Sequence, residues 1–218
     1  MREALELGLV AFSAVFVVVD PFAAIPFFLA LTAKEDEERR RATARRAALV
    51  AGGVLAGFAL AGAVVFQLVG VTLAAFKIAG GALLLLTAAD MVRTRHPSTR
   101  ITEGEVEEGA SREDVAVVPL AMPILAGPGA MATVVVLMGR ARDERAWLAI
   151  PVLLAIALTA FLSYLLLAGA ARVARVMGRT GLNIVERIAG LLLAAIAIQF
   201  IVDGLGEAMP AILGRIRG

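Results

Sequence analysis

The chain has 218 residues, of which 60% are hydrophobic, and a mean hydropathy of +0.87; because soluble domains are only roughly 45–50% apolar, we predict one integral membrane domain over residues 1–218. The formal net charge of +2 does not indicate nucleic-acid binding, since the basic residues cluster between apolar runs. The absence of cysteine excludes a disulfide framework, a thiolate metal site and a catalytic thiol.

Six apolar stretches are each long enough to cross a hydrocarbon core of roughly 30 Å at about 1.5 Å per helical residue. The first is too long for the apolar region of a signal peptide, which has roughly 7–15 residues, and is predicted to remain as a helix. The sequence therefore predicts an all-α membrane protein with six transmembrane helices. The stretches cover residues 5–33, 44–70, 72–92, 115–139, 147–170 and 182–206.

Lysine and arginine residues indicate the orientation, because they are enriched in the cytoplasmic loops of membrane proteins. The polar segments after the first, third and fifth spans hold thirteen of them, whereas the opposite side holds seven. We therefore predict a multi-pass protein of the plasma (inner) membrane with both termini outside the cytoplasm.

Two short matches indicate an internal repeat. Residues 76–81 (FKIAGG) resemble residues 186–191 (ERIAGL) at an offset of 110, and residues 20–21 (DP) correspond to residues 127–128 (GP) at an offset of 107. A repeat of three spans returns the chain to the opposite side of the membrane, so the second copy is inverted. Inverted repeats are typical of secondary transporters.

The repeat divides the chain into three parts. We predict a first three-helix repeat over residues 1–93, a cytoplasmic linker over residues 94–114 and a second, inverted three-helix repeat over residues 115–218.

The second match predicts a break inside helices 1 and 4. Asp20 can be the N-cap of a new helical segment that starts at Pro21, and Gly127 precedes Pro128 in the same way. Non-helical backbone at membrane depth is tolerated only where it is buried in protein or lines a polar cavity. Because the two new N-termini converge in an inverted arrangement, they can bind a carboxylate without a basic side chain. This predicts a site for a small zwitterion or anion near the midplane.

The predicted substrate-binding residues lie at the two breaks and on the helices beside them. Asp20 is also the predicted ion-coupling residue, because an acid at membrane depth is a functional candidate by default; a role as a cap alone is the alternative. Kinks that serve only packing are the alternative for both prolines. The predicted set is Asp20, Pro21, Phe22, Ala23, Ala24, Gly80, Gly81, Met122, Gly127, Pro128, Gly129, Ala130, Thr133 and Gly190.

Four charged residues lie near the ends of the third and sixth spans. Interfacial anchoring is the simpler interpretation of these side chains. Matched depths in the two repeats also suggest a sharper hypothesis, in which Lys77 pairs with Asp203 and Arg187 pairs with Asp90.

Three segments, residues 20–32, 119–136 and 187–204, together resemble the MarC family of integral membrane proteins. The most specific part is PLAMPILAGPGA at residues 119–130. The resemblance implies a six-span protein of the prokaryotic plasma membrane that is loosely similar to the LysE-type exporters. Better-understood members include a transporter of small neutral amino acids such as glycine and alanine. At positions 23 and 24, where the family commonly has a glycine followed by a polar residue, this chain has Ala23 and Ala24. It also has Ala132 where the family usually has a serine. Both differences remove polarity near the predicted site.

The predicted function is secondary transport of small neutral amino acids, with symport of a proton or sodium ion and contact with membrane lipid. An exporter or channel for an ion, a metal or another small metabolite is the alternative, although a divalent ion needs several oxygen ligands. An enzyme is not expected, because hydrolase motifs such as HExxH and GxSxG are absent. We predict no cofactor, no metal site and no nucleic-acid partner, and the sequence does not indicate an oligomeric state.

Overall fold

The computed structural model describes residues 2–93 and 116–216, and the predicted linker at 94–114 lies outside the described residues. Within these ranges the secondary structure is helical. The segment Ala116–Leu125 is an irregular π-helix, with extended backbone at Val118 and Met122. The helices are α1 (Arg2–Val19), α2 (Pro21–Leu31), α3 (Glu37–Val69), α4 (Leu73–Val92), α5 (Ala116–Leu125), α6 (Pro128–Glu144), α7 (Ala149–Ala168, after a single 3₁₀ turn at Ala146–Leu148) and α8 (Ala170–Ile216).

Five stretches of helix are long and apolar enough to cross a membrane, and α5 and α6, which are bent by 61° at their junction, supply a sixth if they count as one span. Many large apolar side chains on these helices point outward, such as Leu68 at 83% exposure and Leu154 at 63%. Exposed apolar surface on this scale marks contact with lipid. The prediction of an all-α, multi-pass membrane protein is therefore confirmed. The five stretches are Glu3–Leu31, Glu37–Gly62, Leu73–Val92, Ala146–Ala168 and Thr180–Met209.

The first span changes conformation at Asp20, which has left-handed backbone (φ 46°, ψ 69°) between α1 and α2. The Asp20 N–H still donates to the Phe16 carbonyl at 3.0 Å and completes the last turn of α1. Pro21 then begins α2 at a position where a missing N–H leaves no intrahelical bond unmade. The chain thus presents a second helix N-terminus inside this span.

Helix α6 lies at the centre of the bundle. Every residue from Ala132 to Met138 is at most 4% exposed, and α6 packs against α1, α3, α4 and α7. A helical segment that is buried on every face lies in the core of a helical assembly. The middle of α6, from Ala132 to Met138, is therefore enclosed by protein instead of lipid.

Helices α4 and α8 form the most extensive helix pair, and glycines permit their close approach. A Cβ atom built on Gly81 would lie 2.7 Å from the Ala197 carbonyl oxygen, and one on Gly190 would lie 2.9 Å from the Met91 Cβ. Small residues at helix interfaces in membranes let backbones approach in this way. Gly80 instead faces α6, where its Cβ would lie 2.8 Å from the Ala132 Cβ.

Replacing Gly81 by alanine should lower the free energy of unfolding in detergent by about 1–3 kcal/mol, the usual cost of overpacking, because the new methyl group meets a backbone oxygen. Gly57→Ala is the matched control, since a Cβ there meets nothing within 4 Å. Thermal or chemical unfolding checks this comparison. Equal stability of the two variants would contradict the close packing of α4 against α8.

Candidate functional site

The N-terminus of α6 lacks a capping side chain. Its N-cap is Gly127, which has extended backbone and no side-chain hydrogen bond to the helix, and Pro128 at the first position carries no N–H. The first intrahelical bond runs from the Met131 N–H to the Gly127 carbonyl at 3.0 Å. The N–H groups of Gly129 and Ala130, in the first turn of α6, therefore have no capping side chain at Gly127 to accept their hydrogen bonds. Such a terminus attracts anions through its N–H groups and its positive dipole end.

A cavity of about 200 Å³ lies directly against this terminus. It is smaller than the roughly 300–1,000 Å³ of pockets that hold drug-sized ligands. Apart from Thr87, whose hydroxyl donates to the Leu83 carbonyl at 3.1 Å, the lining side chains are apolar. The cavity therefore lies beside the start of a helix and has space for a small solute. Its lining residues are Val18, Leu83, Leu84, Thr87, Ile124, Gly127, Pro128, Gly129, Ala130 and Leu193.

The N-terminus of α2 differs, because it carries its own anion. Asp20 is 2% exposed, and its Oδ1 accepts a hydrogen bond from the Ala23 N–H at 3.3 Å. A carboxylate at this position satisfies an N–H group and offsets the helix dipole. Asp20 therefore has the geometry of a cap. The two helix starts at Pro21 and Pro128 are chemically unequal, since the first has a capping carboxylate and the second has no capping side chain.

The structure brings four of the predicted substrate-binding residues together in the cavity, namely residues 127–130. Thr133 lies one helical turn after Gly129, and its hydroxyl donates a hydrogen bond to the Gly129 carbonyl at 2.9 Å. Met122 is 38% exposed on α5, and Gly81 and Gly190 lie at the α4–α8 interface. The predicted residues that do not line the cavity are Asp20, Pro21, Phe22, Ala23, Ala24, Gly80, Gly81, Met122, Thr133 and Gly190.

Sequence reasoning missed the side walls of the cavity. They come from α1, α4, α5 and α8, and most are aliphatic residues inside uniformly apolar spans, where no periodic signal separates a cavity face from a lipid face. Thr87 carried a usable signal, because it is the only hydroxyl residue within α4. The missed residues are Val18, Leu83, Leu84, Thr87, Ile124 and Leu193.

Ion pairs attach α8 to neighbouring helices in the described part of the chain. Lys77 of α4, which is 1% exposed, pairs with Glu207, and Arg140 of α6 pairs with Asp203. The Gln199 side chain donates to the same Asp203 carboxylate at 2.8 Å. The predicted pair between Lys77 and Asp203 is therefore wrong: the lysine reaches the acid one turn further along α8, and Asp203 turns to α6.

The pair between Arg187 and Asp90 stays a prediction. Within residues 2–93 and 116–216, no group of three or more His, Asp or Glu side chains is arranged to hold a metal ion.

Comparison with known proteins identifies the family. The model of the "MarC family integral membrane protein" matches residues 5–209, almost the whole chain. The chain belongs to the MarC family. This assignment confirms the resemblance carried by the residues around Asp20, Gly127 and Arg187.

Relatives of this MarC family protein occur in bacteria and archaea. The chain is 37% identical over 205 residues to a UPF0056 membrane protein of Aquifex aeolicus (strain VF5), which covers 94% of this chain and 95% of that protein. It is 39% identical over 205 residues to one of Methanocaldococcus jannaschii, covering 94% and 98%. It is 35% identical over 202 residues to the UPF0056 membrane protein YhcE of Escherichia coli (strain K12), covering 93% of each. No solved structure matches the chain.

The capping geometry of Asp20 in this MarC family protein predicts unequal effects of two substitutions. Asp20→Ala should lower the free energy of unfolding by about 1–3 kcal/mol, because it removes the cap and places alanine in the left-handed region. Asp20→Asn should stay close to the unmodified protein, since asparagine both caps helices and tolerates that backbone. Thermal unfolding in detergent measures both. Equal destabilisation by the two substitutions would contradict the capping role.

Proposed function

We propose that this MarC family protein is a secondary transporter of small neutral amino acids, glycine and alanine first among them, in the plasma membrane. The open N-terminus of α6 at the edge of a cavity of about 200 Å³ is the observation that carries the proposal. The substrate carboxylate binds the N–H groups of Gly129 and Ala130. The aliphatic walls then limit the size of the substrate side chain.

The ammonium group of a zwitterion also needs acceptors. The Thr87 hydroxyl lies in the cavity wall, and the C-terminal carbonyl groups of α5 end at the same break that begins α6. Discontinuous helices in transporters use both of their half-helix ends in this way, with the N-terminus toward anionic groups and the carbonyl end toward cations. One break can therefore serve both ends of an amino acid.

Coupling in this proposal depends on Asp20. Its carboxylate is buried at the α1–α2 break, so a proton or a sodium ion that binds there changes the charge at the start of α2 inside the span. The two breaks correspond to each other in the two inverted three-helix repeats, residues 1–93 and 115–218, with both termini outside the cytoplasm. Helices broken at matching positions of inverted repeats are the usual site of substrate and ion binding in secondary transporters.

The alternative is an exporter or channel for an ion, a metal or another small metabolite. A divalent ion needs several oxygen ligands, usually carboxylates, and none of the residues that line the cavity carries a carboxylate. A small amino acid fits the combination of backbone N–H groups and aliphatic walls better. We propose transport, rather than catalysis, for the same reason: the lining offers a binding surface for a small solute.

Uptake of radiolabelled glycine and alanine into proteoliposomes tests the proposal, with and without imposed proton and sodium gradients. Gradient-driven uptake should occur in the unmodified protein and should lose its gradient dependence in Asp20→Asn, which retains the cap. No uptake of either amino acid by folded protein would contradict the assigned substrates.

Cavity size predicts a change of specificity. Leu193, which is fully buried, lines the cavity, so Leu193→Ala should enlarge it. The uptake of valine relative to glycine should rise by at least about tenfold, near the lower end of the roughly 1–3 kcal/mol discrimination expected per methylene group. Leu192 is its neighbour on the outer face at 51% exposure, and Leu192→Ala is the matched control. Competition between the two labelled amino acids measures the ratio. Equal ratios in both variants would contradict this location of the substrate.

A further inference from the structure

A concave surface lies on the outside of the bundle, between α3 and α7. Its main part is a cavity of about 560 Å³ with almost entirely apolar walls, which we call the α3–α7 groove. Small residues make the groove deep, including Gly52, Gly53 and Ala56 on α3 and Ala157 and Ala160 on α7. A Cβ atom built on Gly53 would meet nothing within 4 Å, which shows how open this part of the groove is.

One end of the groove adjoins a basic cavity of about 510 Å³, which we call the arginine pocket. Tyr164 lines both cavities, so the two adjoin at its side chain. Four arginines and one glutamate line the pocket, which gives it a strongly positive charge. They are Arg40, Arg41, Arg172, Arg175 and Glu37.

The arginines differ in their existing partners. Arg40 donates to the carbonyl groups of Thr32 at 3.1 Å and Glu35 at 3.3 Å, and Arg41 pairs with Glu37 at 2.5 Å. Arg172 and Arg175 lie in the first turns of α8, before the helix is interrupted at Gly178. Both are exposed, and the structure gives them no ion pair within residues 2–93 and 116–216. Their guanidinium groups are therefore available to an anionic ligand.

The dimensions of the groove match one leaflet of a membrane. Its α3 wall runs from Arg45 to Ala56, a rise of about 16 Å at 1.5 Å per residue. Half of a hydrocarbon core of roughly 30 Å is about 15 Å. A groove of this length places the arginine pocket at the depth of the leaflet's phosphates. Tyr164 lies at the junction of the two cavities, a position typical of interfacial aromatic residues. This end is also the one that the charge distribution assigns to the cytoplasm.

We propose that the α3–α7 groove and the arginine pocket form one binding site for an anionic phospholipid. The phosphate group binds Arg172 and Arg175, and one acyl chain lies along the groove past Gly53. Basic pockets between membrane helices on the cytoplasmic side recognise acidic headgroups in this manner. A zwitterionic lipid fills the same groove, but its own ammonium group offsets the attraction. The site shares no lining residue with the cavity at α6, so it is separate from the proposed transport site.

The test is a titration of the purified, delipidated full chain with phosphatidylglycerol and phosphatidylcholine of identical acyl chains, followed by native mass spectrometry. Phosphatidylglycerol should bind more tightly to the unmodified protein. The double variant Arg172→Gln with Arg175→Gln should weaken its binding about thirtyfold, from roughly fivefold per surface charge. The matched control is Arg39→Gln with Arg93→Gln, which removes two exposed arginines outside the pocket. Equal affinity for the two lipids, or equal weakening by the two double variants, would overturn the proposal.

A second pair of variants tests the groove and remains decisive if the arginine variant fails to fold. Gly53→Leu fills the groove, whereas Gly57→Leu places the same side chain in open space outside it. Only Gly53→Leu should weaken the binding of both lipids. Inorganic phosphate at the same concentration should displace little bound phosphatidylglycerol, since it gains nothing from the groove. Equal binding by the two leucine variants, or full displacement by phosphate, would overturn the assignment to a lipid.

Discussion

A backbone that leaves the helical pattern inside a membrane must be surrounded by protein or by a polar cavity, because lipid offers no hydrogen-bond partners. In this chain the constraint acts most strongly at the junction of α5 and α6, where the axis bends by 61°. The central position of α6 meets this constraint: α1, α3, α4 and α7 pack against the helix, and its start at Gly127 lies against a small cavity. The site therefore follows from the same arrangement that makes the broken backbone tolerable.

The helix starts at Pro21 and Pro128 differ in their chemistry. At the first, the Asp20 carboxylate accepts from the Ala23 N–H and offsets the dipole of α2. At the second, glycine and proline provide no such group, so an anion from outside the chain can take the equivalent place. In the proposed transporter, the capped terminus responds to the coupling ion and the open terminus holds the substrate.

The sequence predicted the helical membrane architecture and the four residues that begin α6, because long apolar stretches and Gly-Pro breaks have direct physical causes. It could not predict the cavity walls, since Leu84 and Leu193 lie in spans whose faces are all apolar, and only packing distinguishes a residue against the cavity from one against lipid. The wrong pairing of Lys77 with Asp203 has a related cause. Matching the depths of residues in two repeats predicts the position of a partner only to within about one helical turn. Glu207 lies one turn from Asp203 and is within reach of the long lysine side chain.

The most direct test of the account is an amide chemical-shift titration of the isotopically labelled protein with glycine and with alanine. The account predicts saturable shifts of the Gly129 and Ala130 amides, because the substrate carboxylate accepts hydrogen bonds from these two groups. The amides of Ala23 and Ala24, at the terminus already capped by Asp20, should move far less. Unchanged Gly129 and Ala130 amides at saturating amino acid, or equal shifts at both termini, would contradict binding at the open end of α6.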